Sequence, residues 1–161
     1  MSHPARLRPF ACLPAFALLP VLATALMLAA APGQAQAAEL ELELSGFAGQ
    51  PGQQGQLLVA VYADPAQWLK KAVAARRVAV APDADGKLLL RLTELPEGPL
   101  AVSVFQDLNG NGRLDANPMG MPLEPFAFSR QAQGMFGPPS FDQARLEPGT
   151  ARHAIRLPAQ P

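Results

Sequence analysis

The sequence predicts an all-β protein: a β-sandwich of about seven short strands with one or two short helices, carried behind a signal peptide. Three observations predict it. Strict period-two alternation opens the chain beyond residue 37, apolar runs of strand length recur along the rest, and the gaps between them are rich in Gly, Pro, Asn and Asp. Alternation marks a strand with one wet face, and short strands separated by turn signals mark a two-layer β domain.

The first ten residues, M-S-H-P-A-R-L-R-P-F, carry Arg6 and Arg8 and no acid; an apolar run over residues 10–31 follows, and Ala35 and Ala37 then supply an A-x-A site. Basic region, apolar region and small-residue exit, in that order, define a signal peptide, here cleaved after Ala37. The run is long enough to span a bilayer. Pro14, Pro20 and the small-residue exit nevertheless favour removal, and Cys12 precedes the run instead of closing it as a lipid anchor would require. The expectation is an exported protein, periplasmic or extracellular, with no stable membrane anchor after cleavage.

Removing residues 1–37 of the 161 leaves 124, residues 38–161, one domain with room for a real core. The single Cys goes with the leader, so no disulfide or thiol chemistry remains. Loss of the two leader arginines leaves 11 basic residues against 13 acids, a net charge of −2. That balance attracts neither nucleic acid nor an anionic membrane surface.

In order along the domain, E-L-E-L-E-L-S puts Leu40, Leu42 and Leu44 on one side of a strand and three glutamates on the other. A Gly/Gln/Pro loop precedes L-L-V-A-V-Y-A, apolar throughout and therefore a central strand. Asp64, Pro65 and Gln67 have the spacing of a capping box and predict a short helix over 65–73. Further strands are predicted at R-R-V-A-V-A, at K-L-L-L-R-L-T after D-A-D-G, and at P-L-A-V-S-V-F after L-P-E-G. Residues 107–124 then show no apolar period, a long loop before P-F-A-F-S. Ser140 and Gln143 suggest a second capping box over one helical turn, and A-R-H-A-I-R-L closes the sheet.

The long loop begins Q-D-L-N-G-N-G-R-L-D-A-N. On the spacing of an EF-hand loop, Asp107 falls at position 1, Asn109 at 3, Asn111 at 5, Gly112 at 6 and Asp115 at 9, while position 7 needs only the Arg113 carbonyl. Position 12 is Pro118, so the bidentate Glu is missing; Glu124 lies six residues further on and is the candidate replacement. The reading is a structural Ca²⁺ loop with ligands Asp107, Asn109, Asn111, Arg113, Asp115 and Glu124. The alternative is a metal-free polar turn, in which Asp and Asn side chains bond their own backbone.

Met119, Met121 and Met135 cluster near this loop, and thioethers can hold Cu(I). With one His and no Cys beyond the leader, adaptable packing is the preferred account. His153 shares parity with Ile155 and Leu157 and belongs at the border of the core. No nucleophile motif surrounds the serines at 45, 103, 129 and 140; an envelope enzyme using a carboxylate pair from Asp107, Asp115 or Glu124 is the alternative, but such a pair needs a cleft and a raised pKa that the sequence does not show, so the expectation is no enzyme. Trp68, Phe126, Phe128, Phe136 and Phe141 have the composition of a ligand groove, but filling the core is the stronger reading; Phe136 and Phe141 are expected to pin the long loop.

Taken in order, Q-D-L-N-G-N-G-R-L-D-A-N, G-M-P-L-E-P-F-A-F-S and G-P-P-S-F-D-Q-A resemble the bacterial domain-of-unknown-function family numbered 2141, over roughly residues 57–157. The matched positions are Asp107, Asn109, Asn111, Gly112 and Asp115; Gly120, Pro122 and Glu124; Gly137, Pro138, Pro139 and Phe141. Gln106 stands where the family pattern has His, and Arg130 where it has Asn. The resemblance implies an exported immunoglobulin-like or transthyretin-like sandwich and no reaction. The loop is also similar to calcium-binding turns in bacterial surface adhesins. The functional expectation is a binding module whose partner is an envelope or extracellular protein or a glycan.

Overall fold

The computed structural model describes residues 38–50 and 52–158; the expected signal peptide lies outside them. The described chain is mostly β, with eight strands in two sheets. β1 (Ala38–Ser45) lies between β4 (Lys87–Leu95), antiparallel, and β8 (Arg152–Arg156), parallel. The second sheet runs β3 (Ala74–Ala79), β2 (Gln56–Tyr62), β5 (Leu100–Asp107), β6 (Phe126–Phe128), with β7 (Arg145–Leu146) also paired to β5. β7 is the strand beyond the expected seven; two residues are too short to leave a period in sequence. Among the described residues no helix is long and apolar enough to cross a membrane.

Leu40, Leu42 and Leu44 are buried, as the alternation of β1 requires, and meet Leu57, Val59 and Val61 of β2 and Val102 and Val104 of β5 in one core contributed by both sheets. Leu92 and Leu95 of β4 both point inward although three positions apart. A slip in register opposite Ala38 and Leu40, with Glu94 at φ 60°, supplies the extra residue. The outer face of β1 carries Glu41 and Glu43, paired with Arg152 at 2.8 Å and Lys87 at 2.7 Å. These exposed pairs define a wet surface and contribute little stability.

The second sheet differs, because its outer face is apolar too. Tyr62, Ala101, Phe128, Phe141 and Ala144 form a second buried cluster, with Trp68 packed edge-on against Tyr62 at 4.9 Å and Phe141 at 5.9 Å between ring centroids. Trp68 Nε1 donates to the Pro139 carbonyl at 2.7 Å. Phe141 enters this cluster from a single helical turn, Phe141–Ala144, whose capping box is formed as predicted: Gln143 N donates to Ser140 Oγ at 3.3 Å, and Ser140 N to Gln143 Oε1 at 2.8 Å.

The helix predicted over 65–73 shrinks to a 3₁₀ turn, Pro65–Gln67. Asp64 does cap it, accepting from Ala66 N at 2.8 Å, but Gln67 completes no box. The chain leaves helical geometry at Trp68 (ψ 127°), and Leu69 follows at φ 55°. Docking the indole against three aromatic rings overrides three or four residues of helix propensity.

His153 sits half-buried, where its parity predicted, and its Nε2 accepts from Arg130 N at 2.8 Å. Burial, and then the Arg130 charge, lower its pKa below the usual histidine value. A lowered folded pKa means that the unfolded chain takes the proton first, so stability falls as pH drops below about 6.5 and levels off below the folded value. Urea denaturation at stepped pH should show this decline, no steeper than the one-proton limit of about 1.4 kcal/mol per pH unit, and His153→Gln should flatten it.

Candidate functional site

The Asp/Asn/Gly loop starts where β5 ends. Asp107, the last residue of that strand, has no exposed surface, sealed by the loop's own backbone. Its Oδ1 accepts from Gly110 N at 2.7 Å and Asn111 N at 3.2 Å; its Oδ2 accepts from Gly112 N and Gln56 Nε2, both at 2.8 Å. Burial pushes this carboxyl up, but the bonds from Gln56, Gly112, Gly110 and Asn111 outweigh it and hold the pKa below the ordinary carboxylate range. Four donors fill the roughly four acceptor positions of a carboxylate.

The two asparagines form Asx turns. Asn109 Oδ1 accepts from Asn111 N at 3.0 Å and Asn111 Oδ1 from Arg113 N at 2.7 Å, so both amide oxygens face backbone donors. Their amide nitrogens, at 2.6 and 2.9 Å, both donate to Asp115 Oδ2. Glu124 does fold back: Oε1 accepts from Leu108 N at 2.9 Å and Oε2 from Asp115 N at 3.1 Å. It is buried, and it ties the start of the loop to its middle.

The predicted ligand side chains, Asp107, Asn109, Asn111, Asp115 and Glu124, are therefore brought together, each accepting from an N–H donor of the loop or of β2. Arg113 contributes its N–H to the Asn111 turn. Among the described residues, no group of three or more His, Cys, Asp or Glu side chains is arranged to hold a metal ion. Gly112, at φ 77°, has the Arg77 guanidinium so close that a Cβ would lie 2.7 Å from Nη2. A cation of the protein's own thus abuts the loop.

From Asp115 the chain makes a narrow out-and-back excursion. Leu123 N donates to Asp115 O at 2.8 Å, Asn117 N to Met121 O at 2.9 Å, and Asn117 Oδ1 accepts from Met119 N and Met121 N at 2.9 and 3.0 Å. This holds the two methionines at its tip, 80% and 55% exposed respectively. They form one wall of a groove of about 710 Å³. Its floor is the uncovered end of the second sheet's outer face, Phe105, Phe126 and Phe128, and its far wall is Met135, Phe136 and Pro138. All three methionines beyond residue 37 line this one groove.

Phe136 corrects the sequence reading. Expected to pin the loop, it is wholly exposed, whereas Phe141 is buried against Trp68. The turn that carries it is tight: a Cβ on Gly134 would collide with the Gly137 carbonyl. On the other side of this turn lies a recess of about 530 Å³ with Gln131, Gln133 and Arg156 in its lining and none of the methionines.

The model of a bacterial family, described as "Uncharacterized protein conserved in bacteria (DUF2141)", matches residues 47–156. The chain belongs to DUF2141. The match begins in the loop after β1 and ends with β8, so it takes in the Asp/Asn/Gly loop, the methionine excursion and the Phe136 turn. No match was found among curated proteins or among solved structures.

Within the DUF2141 domain, Gln106 shows what its side chain does in this member. It is fully buried, Nε2 donates to Ala48 O at 2.9 Å and Gln54 O at 2.7 Å, and Oε1 accepts from Ala48 N at 2.8 Å. It fastens the loop between β1 and β2 at two points. Arg130, the other departure from the family pattern, occupies φ 59° and gives its backbone N–H to His153.

The groove was only half legible in the sequence. Trp68 and Phe141 go to the second cluster, Phe136 goes to the groove alone, and Phe126 and Phe128 belong to both, a division that composition cannot make. The available signal was in β5, L-A-V-S-V-F, which lacks alternation and so requires cover on both faces.

Proposed function

We propose that this protein is a non-enzymatic, exported binding module: an immunoglobulin-like or transthyretin-like β-sandwich whose apolar groove docks an envelope or extracellular partner, with the neighbouring Asp/Asn/Gly loop ion-free. One observation carries the reading. Met119, Met121, Met135 and Phe136 stand exposed around one groove of about 710 Å³, and methionine-lined grooves adapt to apolar partners. Export rests on the leader sequence.

The ion-free form of the loop is favoured over the calcium form by the filled acceptors of Asp107 and by the asparagine nitrogens, not oxygens, that converge on Asp115. The non-enzymatic reading is supported by how the polar side chains are used. Ser129 bonds the backbone of Val102 and Ala144, Ser140 caps a helical turn, and His153 Nε2 accepts from a backbone N–H, so that nitrogen is engaged with the backbone and not with a serine among the described residues. Asp107 and Glu124 serve backbone donors instead of flanking a cleft as a carboxylate pair would.

An environment-sensitive apolar dye such as Nile red tests the groove. Residues 38–161 should bind it saturably, and Met121→Asp should weaken binding at least about tenfold, since a buried unpaired charge costs more than the 1.4 kcal/mol that corresponds to tenfold. Equal binding by the variant, with unchanged thermal stability, would place the dye elsewhere and sink the proposal.

A further inference from the structure

We propose that Met119, Met121 and Met135 are oxidation sites: each thioether takes an oxygen from a peroxide to become the sulfoxide, and the conversion closes the groove to apolar ligands while leaving the fold intact. The closure rests on the reading of the groove as a docking surface. The placement of sulfur in the chain points to it. Methionine is among the residue types most often buried. Yet all three beyond residue 37 are more than half exposed, Met135 at 89%, and neither hydrophobic cluster contains one. The single Cys is Cys12, so an oxidant acting on residues 38–161 meets no other sulfur.

The exposure is built into the backbone. Asn117 Oδ1 accepts from Met119 N and Met121 N, and Asn117 N donates to Met121 O, which fixes both methionines at the tip of the excursion. A Cβ on Gly120, between them, would meet nothing within 4 Å. Met135 stands in the opposite wall beside the wholly exposed Phe136. Leucine would supply the same apolar surface; what methionine adds is a nucleophilic sulfur.

The reaction needs no catalytic group. A sulfur lone pair attacks one oxygen of hydrogen peroxide, and the S–O bond forms as the O–O bond breaks. The attacked oxygen's proton passes to the departing hydroxide, which leaves as water; the thioether is oxidised by two electrons and the peroxide is reduced. The product carries an S=O dipole where the side chain was apolar. While the groove is open to water the sulfoxide is hydrated and costs the fold nothing, because the side chain is exposed already. Under an apolar ligand it loses that water without gaining a donor, and binding falls.

Both hydrophobic clusters and the eight strands lie within residues 38–158, so the chain without its leader carries its own core and is suited to the test. After treatment of residues 38–161 with hydrogen peroxide, peptide mapping by mass spectrometry should find sulfoxide at all three positions, forming at rates close to those in the urea-unfolded chain. Thermal unfolding should be unchanged, and Nile red binding should weaken at least about fivefold. Methionine sulfoxide reductases acting on both epimers should restore it. Combined Met119→Leu, Met121→Leu and Met135→Leu, volume-conserving changes, should keep dye binding and make it indifferent to peroxide. A methionine oxidised far more slowly in the folded chain than in the unfolded one, or a lowered melting temperature after oxidation, overturns the inference. Nile red keeps the two readings apart: a parent that binds no dye before oxidation overturns the docking reading and the closure with it, whereas one that binds equally before and after full oxidation overturns the closure alone.

Discussion

Asp107→Ala is expected to lower the stability of the domain by about 3 kcal/mol, measured by urea denaturation at neutral pH. It removes the acceptor for Gly110, Asn111 and Gly112 N–H together with the Gln56 amide. A buried donor left without a partner costs about 1 to 3 kcal/mol, and the exposed rim of the loop lets water recover part of the total. Asp107→Asn should lose nearly as much, because its amide can satisfy the donors with only one oxygen and turns two hydrogens toward others. The contribution has a pH signature. Asp107 titrates below the ordinary carboxylate range, so it stabilises the fold fully above about pH 3.9 and the benefit is lost as pH falls through its lowered folded pKa. A loss under 0.5 kcal/mol for Asp107→Ala would show that the loop is organised by something else.

Gly55→Ala should cost about as much, by a different route. Gly55 lies at φ 64° immediately before β2, and a Cβ there would fall 2.1 Å from the Asp107 carbonyl oxygen. A left-handed conformation costs an ordinary residue about 1 to 2 kcal/mol, and forcing the backbone of β5 away adds about 1 to 3. Because the displaced atom belongs to Asp107, the substitution should also loosen the Asp/Asn/Gly loop. Amide hydrogen exchange at residues 110–112 should quicken in Gly55→Ala relative to the parent, while exchange in β1 changes only with global stability. Unaltered protection at 110–112 would mean that the close approach is not what fixes the loop.

The sequence announced the two-sheet core more fully than the site. β1 alternates, and alternation has one physical meaning, so Leu40, Leu42 and Leu44 were assignable to the interior on sight. The 3₁₀ turn at Pro65 was misjudged because a cap and a proline signal only where a helix starts; Trp68 ends it through contacts with Tyr62 and with Phe128 and Phe141, the last two far away in the chain. The Asp/Asn/Gly spacing told which side chains come together but not which atom of each would face inward. Asn109 and Asn111 meet Asp115 through nitrogen, and Glu124 meets backbone N–H, and no spacing distinguishes these from oxygen ligands around an ion. Phe136 was misplaced for a related reason: an aromatic residue between glycines is equally consistent with an anchor and with an exposed tip, and residue spacing does not decide between them.

Two surfaces are joined in the proposed function: the polar loop satisfies its own donors and acceptors, and the binding proposed is to the apolar groove beside it. A backbone amide NMR map of residues 38–161, recorded with Nile red and again with several millimolar calcium chloride, tests it most directly. The account predicts saturable dye-induced shifts at residues 103–105, 119–121 and 135–137, and no saturable calcium-induced shifts at residues 107–115. Calcium shifts that saturate at Asp107, Asn111 and Asp115, with the groove amides unmoved by the dye, would contradict it and make the loop itself the ligand site.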